Sequence, residues 1–193
     1  MIVEKKTFEL PQYMTRSGAQ LKRVRVGWES YGTLDRERSN AILVTHYFSA
    51  TSHAAGRYTA HDVLPGYWDA IIGPGKTIDT NRFFVLSSDT LVNLNARDTQ
   101  VITTGPASID PETGARYGMG FPIVSIHDFI QLQKALVESL GIKRLHAIVG
   151  PSMGALQAYQ WAQSYPDMVG RIMPVIGAAG GDPFLIALSL IHI

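Results

Sequence analysis

The order of patterns between residues 125 and 176 restricts the fold more than any other feature of the chain. "SIHDFIQLQKALVESLGI" (125–142) reads as an amphipathic helix: Phe129, Leu132, Leu136 and Leu140 recur at helical spacing. Ser125 with Asp128 fits a capping box at its start, and Gly141 is placed to stop it. "LHAIVG" (145–150) follows as a short strand, then the turn Gly150-Pro151-Ser152-Met153-Gly154, then the helical "MGALQAYQWAQSY" (153–165) ended by Pro166. "GRIMPVIGAAG" (170–180) reads as one more strand. Helix, strand, sharp turn, helix, strand is the pattern of an α/β protein with a mostly parallel sheet and helices on both faces. It sets the turn at the C-terminal end of a strand, where such sheets place their sites.

The rest of the chain is consistent with that frame. "AILVTHY" (41–47) and "RFFVLSSD" (82–89) are short continuous apolar runs, as expected of strands buried on both faces. "FELPQYM" (8–14) and "LKRVRVGWESYG" (21–32) alternate loosely around a Ser-Gly turn and read as two more strands. Within the second, Lys22-Arg23-Val24-Arg25 reads as the wet face of an edge strand rather than a ligand patch. Residues 48–81 form a long stretch rich in His, Tyr, Gly and Pro, longer than an ordinary connection and so a candidate functional insertion; residues 90–124 form a second long Gly/Pro loop.

With 193 residues and 46% hydrophobic composition, a single domain over 1–193 is expected. The balance of 17 basic against 16 acidic side chains supplies no field that would attract nucleic acid or an anionic membrane. Cysteine is absent, which excludes disulfides, thiolate metal sites and a cysteine nucleophile. The chain has no basic-then-apolar leader and no apolar run of about 18 residues, so a cytoplasmic location is expected.

Gly-x-Ser-x-Gly between a strand and a helix is the pattern of a nucleophile elbow. A strained turn lifts the serine hydroxyl above the strand end, and the close approach of strand and helix leaves room only for glycine at 150 and 154. Ser152 is therefore the candidate nucleophile, and the Met153 N–H, at the helix N-terminus, a candidate donor to a tetrahedral oxyanion. A serine that merely caps the following helix is the alternative. A phosphate-binding loop fits less well, since no Gly-Lys-Ser/Thr follows. The second oxyanion donor should come from the loop after an earlier strand; Phe48 is the candidate and Tyr47 the alternative. His46 and His53 precede the nucleophile and read as hydrogen-bonders that fix that loop. After Ser152 the chain offers Asp167, Asp182 and His192 as triad partners. Asp167 follows the elbow helix and is expected to face solvent, Asp182 reads as a turn-capping side chain, and His192 sits in the terminal apolar run "FLIALSLIHI". No catalytic acid or base is assigned within the chain, and no metal is expected.

Several stretches together resemble one family. "VGWESYGTLD", "THYFSATSHAAG", "WDAIIGPGKTIDTNRFFVLSSD", "TGPASIDPETGARYGMGFPIVSIHDFIQLQKALVESLGI" and "AIVGPSMGALQAYQWAQSYPDMV" are similar, in order and spacing, to the N-terminal blocks of the homoserine O-acetyltransferase family of α/β-hydrolase enzymes. The resemblance covers roughly residues 20–180 and implies an α/β-hydrolase fold. It implies acyl transfer by a ping-pong mechanism through Ser152, from acetyl-CoA as cosubstrate to the hydroxyl of homoserine, on the route to methionine. The oxyanion hole would be Phe48 and Met153, with no tightly bound cofactor. Partners are then small molecules, an acyl-CoA or short acyl ester and homoserine, with neither nucleic acid nor membrane; a homodimer is left open. The family's acid, its histidine and an arginine for the substrate carboxylate follow a helical lid in a C-terminal half that this chain lacks. With its uncapped apolar ending, the chain therefore reads as a truncated or misassembled part of a longer protein, inactive alone. Where the family usually reads His-Ala-Leu-Thr/Ser-Gly, this chain has "HYFSA", and "TLVNLNARDTQVITTGPAS" replaces a Gly-Gly-Cys-containing stretch. A divergent pocket lowers specificity for homoserine more than it lowers hydrolysis, so a hydrolase of short acyl esters is the first alternative. A non-catalytic α/β-hydrolase-like binding domain is the second.

Overall fold

The computed structural model describes residues 1–178. Along the chain lie β1 (Lys6–Met14), β2 (Gln20–Tyr31), β3 (Ala41–Val44), β4 (Ile72–Gly73), β5 (Ile78–Asp79), β6 (Phe84–Ser88), α1 (Ile126–Ser139), β7 (Ala147–Pro151), α2 (Met153–Ser164) and β8 (Ile172–Val175). Six strands form one sheet in the order β1-β2-β6-β3-β7-β8, and β4 with β5 makes a separate two-stranded pair. β1, β2 and β6 pair antiparallel, whereas β6, β3, β7 and β8 run parallel.

The apolar runs of β3, β6 and β7 are continuous because both faces of these strands are covered. Ala41, Leu43, Phe84, Leu86 and Ile148 face Ile130, Leu136 and Val137 of α1 and Ala158 and Trp161 of α2. On the opposite face Ile42, Val44, Val85 and Val149 pack against Ala54, Ala55 and Ile72, with Tyr58, Tyr67 and Trp68 closing over them. Among the described residues both α-helices thus lie on one face, and the irregular segment 54–83 does for the other what a helical layer usually does. Most of the stretch read as a functional insertion therefore owes its length to covering the sheet; only its first residues border the elbow.

The Lys22–Arg25 stretch departs from its expected position. Leu21, Val24 and Val26 are buried and Arg23 and Arg25 exposed, as the alternation predicts. The strand is not an edge, however: β1 pairs with it from Lys6↔Trp28 to Met14↔Gln20, and β1 forms the sheet's outer border.

The α1 capping box ties two layers together. The buried Asp128 carboxylate accepts the Ser125 N–H (2.7 Å) and hydroxyl (2.9 Å), and also the Tyr13 hydroxyl (2.8 Å) and the Arg16 N–H (2.7 Å) from the β1–β2 hairpin. Burial works to raise the Asp128 pKa, but these donors outweigh it and hold it below the ordinary value. Between the helices, Trp161 Nε1–H donates to Gln133 Oε1 (2.8 Å) and Gln133 Nε2–H to Gln157 Oε1 (2.7 Å). Gln157 Nε2–H then reaches the carbonyl of His46 (3.3 Å), just beyond β3.

Candidate active site

β7 ends at Pro151, and Ser152 turns the chain into α2 with φ 54° and ψ −118°. A non-glycine residue in this region is strained and persists only where its surroundings fix it. Its N–H is held by the carbonyl of Val175 (3.0 Å), which carries the β7–β8 pairing into the turn. Its side chain makes no capping hydrogen bond to α2, so the capping-serine reading does not describe this turn. Ser152 is partly exposed, and among the described residues its hydroxyl has no hydrogen-bonding partner.

The two glycines make the turn sterically feasible. A Cβ on Gly150 would lie 2.1 Å from Thr45 Oγ1 and 2.6 Å from the Gly154 carbonyl. A Cβ on Gly154 would lie 2.1 Å from the Thr45 carbonyl oxygen and 3.2 Å from that of His46. Thr45 closes this contact by donating its hydroxyl to the Gly154 carbonyl (2.8 Å), while its N–H donates to the carbonyl of Val149 (3.0 Å). The loop after β3 is thereby stapled against the first turn of α2.

Several N–H groups near this junction have no acceptor among the described residues, those of Tyr47, Phe48 and Ser49 in the loop and that of Met153 in the helix. Met153 heads α2, where the first helical N–H groups have no intrahelical acceptor. In the loop, Ala50 N–H bonds back to the Tyr47 carbonyl (3.0 Å), a turn whose closure does not use the Phe48 N–H. Among the described residues neither N–H has a backbone acceptor. The Phe48 side chain is 39% exposed, while the Tyr47 ring is half-buried against Tyr67, edge to face at 5.2 Å.

His46 is fully buried; its Nδ1–H donates to the Tyr47 carbonyl (2.7 Å), which leaves Nε2 to face the Asn93 amide at 3.5 Å. Burial, against the Tyr47 carbonyl and the Asp89 charge, lowers its pKa, so it is a neutral ring that fixes the loop. His53 donates Nδ1–H to Glu29 (3.0 Å). Asp167 is exposed in the turn Pro166–Met168 after α2, about 18 Å from the elbow by the length of the helix. Asp182 and His192 lie outside the described residues. Among the described residues no group of three or more His, Cys, Asp or Glu could hold a metal ion, and no helix is long and apolar enough to cross a membrane. A cavity of about 780 Å³ lined by Arg38, Lys143, Arg144 and Arg171 opens where β7 and β8 begin, at the opposite end of the sheet from Ser152.

One feature beside the elbow has no motif: a buried cluster of Lys5, Glu29 and Asp89 beneath the 46–55 loop. An acid inside a strand is the available signal, since such a residue is rarely buried without a partner. That Glu29 faces inward depends on the cover over the sheet's second face, which strand periodicity does not encode.

Known proteins are similar to this chain in sequence and in fold. A homoserine O-acetyltransferase of Methanococcoides burtonii is 44% identical over 178 residues, 92% of this chain and 35% of that protein. A homoserine O-succinyltransferase of Magnetococcus marinus is 52% identical over 152 residues, 79% of this chain and 37% of that protein. Among solved structures, esterase E22 superposes with a TM-score of 0.95 at 59% identity, over 99% of this chain and 52% of that one. The homoserine O-acetyltransferase from Bacillus anthracis superposes with a TM-score of 0.93 at 50% identity, over 95% and 49%. The chain has strong homology to the homoserine O-acetyltransferase and esterase family and shares its α/β-hydrolase-like fold. It spans from about a third to about half of the length of these family members. No protein-family model matches it.

Proposed function

We propose that the protein carrying this chain performs serine-dependent acyl transfer, with Ser152 as the nucleophile and the N–H groups of Met153 and Phe48 as the oxyanion hole. The observation that carries the reading is the strained Ser152 turn, whose hydroxyl caps nothing at the head of a helix whose first N–H, that of Met153, has no acceptor among the described residues. In the first half-reaction Ser152 Oγ attacks the acyl carbonyl and its proton passes to a base. The carbonyl oxygen gains charge against the two N–H groups, and collapse expels the thiolate of coenzyme A or the alcohol of an ester. In the second, an acceptor hydroxyl attacks acyl-Ser152 and restores the serine. No described residue is assigned as the base. Acetyl-CoA as donor and the homoserine hydroxyl as acceptor are supported by the names of the relatives.

A second reading, hydrolysis of short acyl esters, is favoured by the 59% identity to an esterase and by the bulky "HYFSA" sequence of the loop. Water needs fewer positioned groups than an amino-acid hydroxyl, so the same acyl-serine serves both.

The full-length gene product treated with a fluorophosphonate is expected to carry one adduct, on Ser152, located by peptide mass spectrometry. Labelling that persists in Ser152→Ala refutes the nucleophile. Incubation with acetyl-CoA and homoserine separates the acceptors: O-acetylhomoserine indicates transfer and free acetate hydrolysis. The 193-residue chain alone is expected to turn over little, because no described residue is assigned as the base and a serine and oxyanion hole without one retain only residual catalysis.

A further inference from the structure

We infer that Lys5, Glu29 and Asp89 are positioning residues: a buried ion cluster that clamps the 46–55 loop and so presents the Phe48 N–H to the elbow. The role given to that N–H rests on the acyl-serine reading; the clamp itself does not.

The cluster gathers residues far apart in sequence. Lys5 precedes β1, Glu29 lies in β2, and Asp89 directly follows β6, the neighbour of β2. Lys5 Nζ lies 2.9 Å from Glu29 Oε1 and 3.5 Å from Asp89 Oδ2, with both carboxylate side chains 0% exposed and Lys5 8% exposed. Every carboxylate oxygen has a donor. Glu29 accepts Tyr58 OH (2.6 Å), Tyr31 OH (2.9 Å) and His53 Nδ1–H (3.0 Å), while Asp89 accepts the N–H groups of Ser52 (2.7 Å) and Ile102 (3.1 Å). Burial alone would raise the Glu29 pKa; His53, Lys5 and Tyr58 outweigh it and bring it to about 2, so the carboxylate stays charged.

Four consecutive loop residues hang from this cluster. Asp89 takes the Ser52 N–H and Lys5 donates to the Ser52 hydroxyl. Glu29 takes the His53 imidazole. The Tyr31 hydroxyl, aimed by Glu29, accepts the N–H groups of Ala54 (2.9 Å) and Ala55 (3.2 Å). The other end of the loop is held separately: Gln157 on the His46 carbonyl, Asn95 Nδ2–H on that of Ser49 (3.0 Å) and Asn93 Nδ2–H on that of Ala50 (3.0 Å). Phe48 sits in the middle with its N–H unused.

Stability does not account for such an arrangement. Apolar residues of similar volume in place of a buried ion group are often neutral or stabilising, because two desolvated carboxylates and an ammonium cost nearly what their attraction returns. What the ions supply is geometry. Five directional bonds, three from the ions and two through the Tyr31 hydroxyl, fix a loop that apolar packing would let slide, and an oxyanion donor stabilises the transition state fully only when it needs no reorganisation.

The test uses Glu29→Gln and Lys5→Met in the full-length protein, with circular dichroism and thermal unfolding to establish the fold. Amide hydrogen exchange over 46–55 is expected to accelerate tenfold or more while β3 and β7 keep their protection. The saturating rate of Ser152 phosphonylation is expected to fall by roughly tenfold, less than the 10²–10³ of deleting a donor. The half-saturating reagent concentration should hold steady, and Lys5→Arg should recover more of the rate than Lys5→Met. Unchanged exchange in the loop overturns the inference. So does acceleration spread over the whole sheet, or a loosened loop with an intact labelling rate. Asp89→Asn, which keeps the shape and one acceptor oxygen, decides by the same readouts if the other variants do not fold. A wild-type protein that is not labelled at Ser152 removes the acyl-serine reading instead, and loop exchange alone then decides whether the cluster clamps.

Discussion

Gly154→Ala tests the steric argument for the elbow. The added methyl carbon would stand 2.1 Å from the Thr45 carbonyl oxygen, 2.9 Å from the Thr45 carbonyl carbon and 3.2 Å from the His46 oxygen. All three are backbone atoms, so no rotamer change relieves the clash. A carbon–oxygen contact settles at about 3.3 Å, so the first turn of α2 and the end of β3 must part by roughly 1 Å. The separation stretches the Thr45 hydroxyl bond to the Gly154 carbonyl, now 2.8 Å. Overpacking of this kind costs about 1–3 kcal/mol, and the weakened hydrogen bond adds about 1 kcal/mol. Alanine in a helix returns at most about 1 kcal/mol relative to glycine. The clash wins, with a net loss of about 2 kcal/mol, or a fall in melting temperature of about 4–8 °C for a chain of this size. Thermal unfolding followed by circular dichroism measures it, with Gly120→Ala as the control, since a methyl there meets nothing within 4 Å. A Gly154→Ala protein that melts at or above the wild-type temperature refutes the reasoning.

Two further outcomes follow from the buried carboxylates. Because the folded pKa of Glu29 is about 2 against an ordinary 4.5, its stabilisation is complete above about pH 4.5 and is lost as the pH falls from there toward 2. At about 1.4 kcal/mol per pH unit, ionised Glu29 leaves the fold about 3 kcal/mol more stable than protonated Glu29 does, which says nothing against an apolar replacement. Urea unfolding at pH 7 and pH 3 should therefore show a steep acid dependence in the wild type that Glu29→Gln flattens, and equal slopes contradict the assignment. Tyr13→Phe removes one of four donors to Asp128, a charge-assisted bond worth about 1.5 kcal/mol where three others remain. It should lower the urea midpoint without changing the m-value, and an unchanged midpoint would show that the remaining donors suffice.

Elements whose periodicity matches a local cause were legible in the sequence. α1 was readable because its cap, its apolar stripe and its stop residue are all local, and the structure bounds it at Ile126–Ser139. The apolar run of β3 predicts a strand to Tyr47, three residues beyond the observed end: Thr45 turns its hydroxyl to the Gly154 carbonyl, and pairing stops at Val44. The 48–81 stretch could be recognised as irregular from its Gly and Pro. Its role as cover for one sheet face depends on Ala54, Ala55 and Ile72 meeting Val44 and Val85, contacts that no local pattern records. The place of β2 in the sheet failed for the same reason, because edge or interior is decided by what pairs beyond it.

The two walls of the proposed site differ in legibility because different forces hold them. The elbow is a steric object: a methyl group at 150 or 154 cannot be placed, so glycine is required there and the sequence displays it. The loop opposite is held by charges whose partners are 24 to 84 residues apart, Lys5 with Glu29 and Asp89 and Glu29 with His53, and nothing in local spacing announces such a set. The walls meet where Thr45 bonds Gly154 and Gln157 bonds the His46 carbonyl, so α2 carries at its N-terminus one proposed oxyanion donor and along its side a support for the other. A rigid helix is thus the common reference for both N–H groups, and the ion cluster limits the freedom of the loop against it.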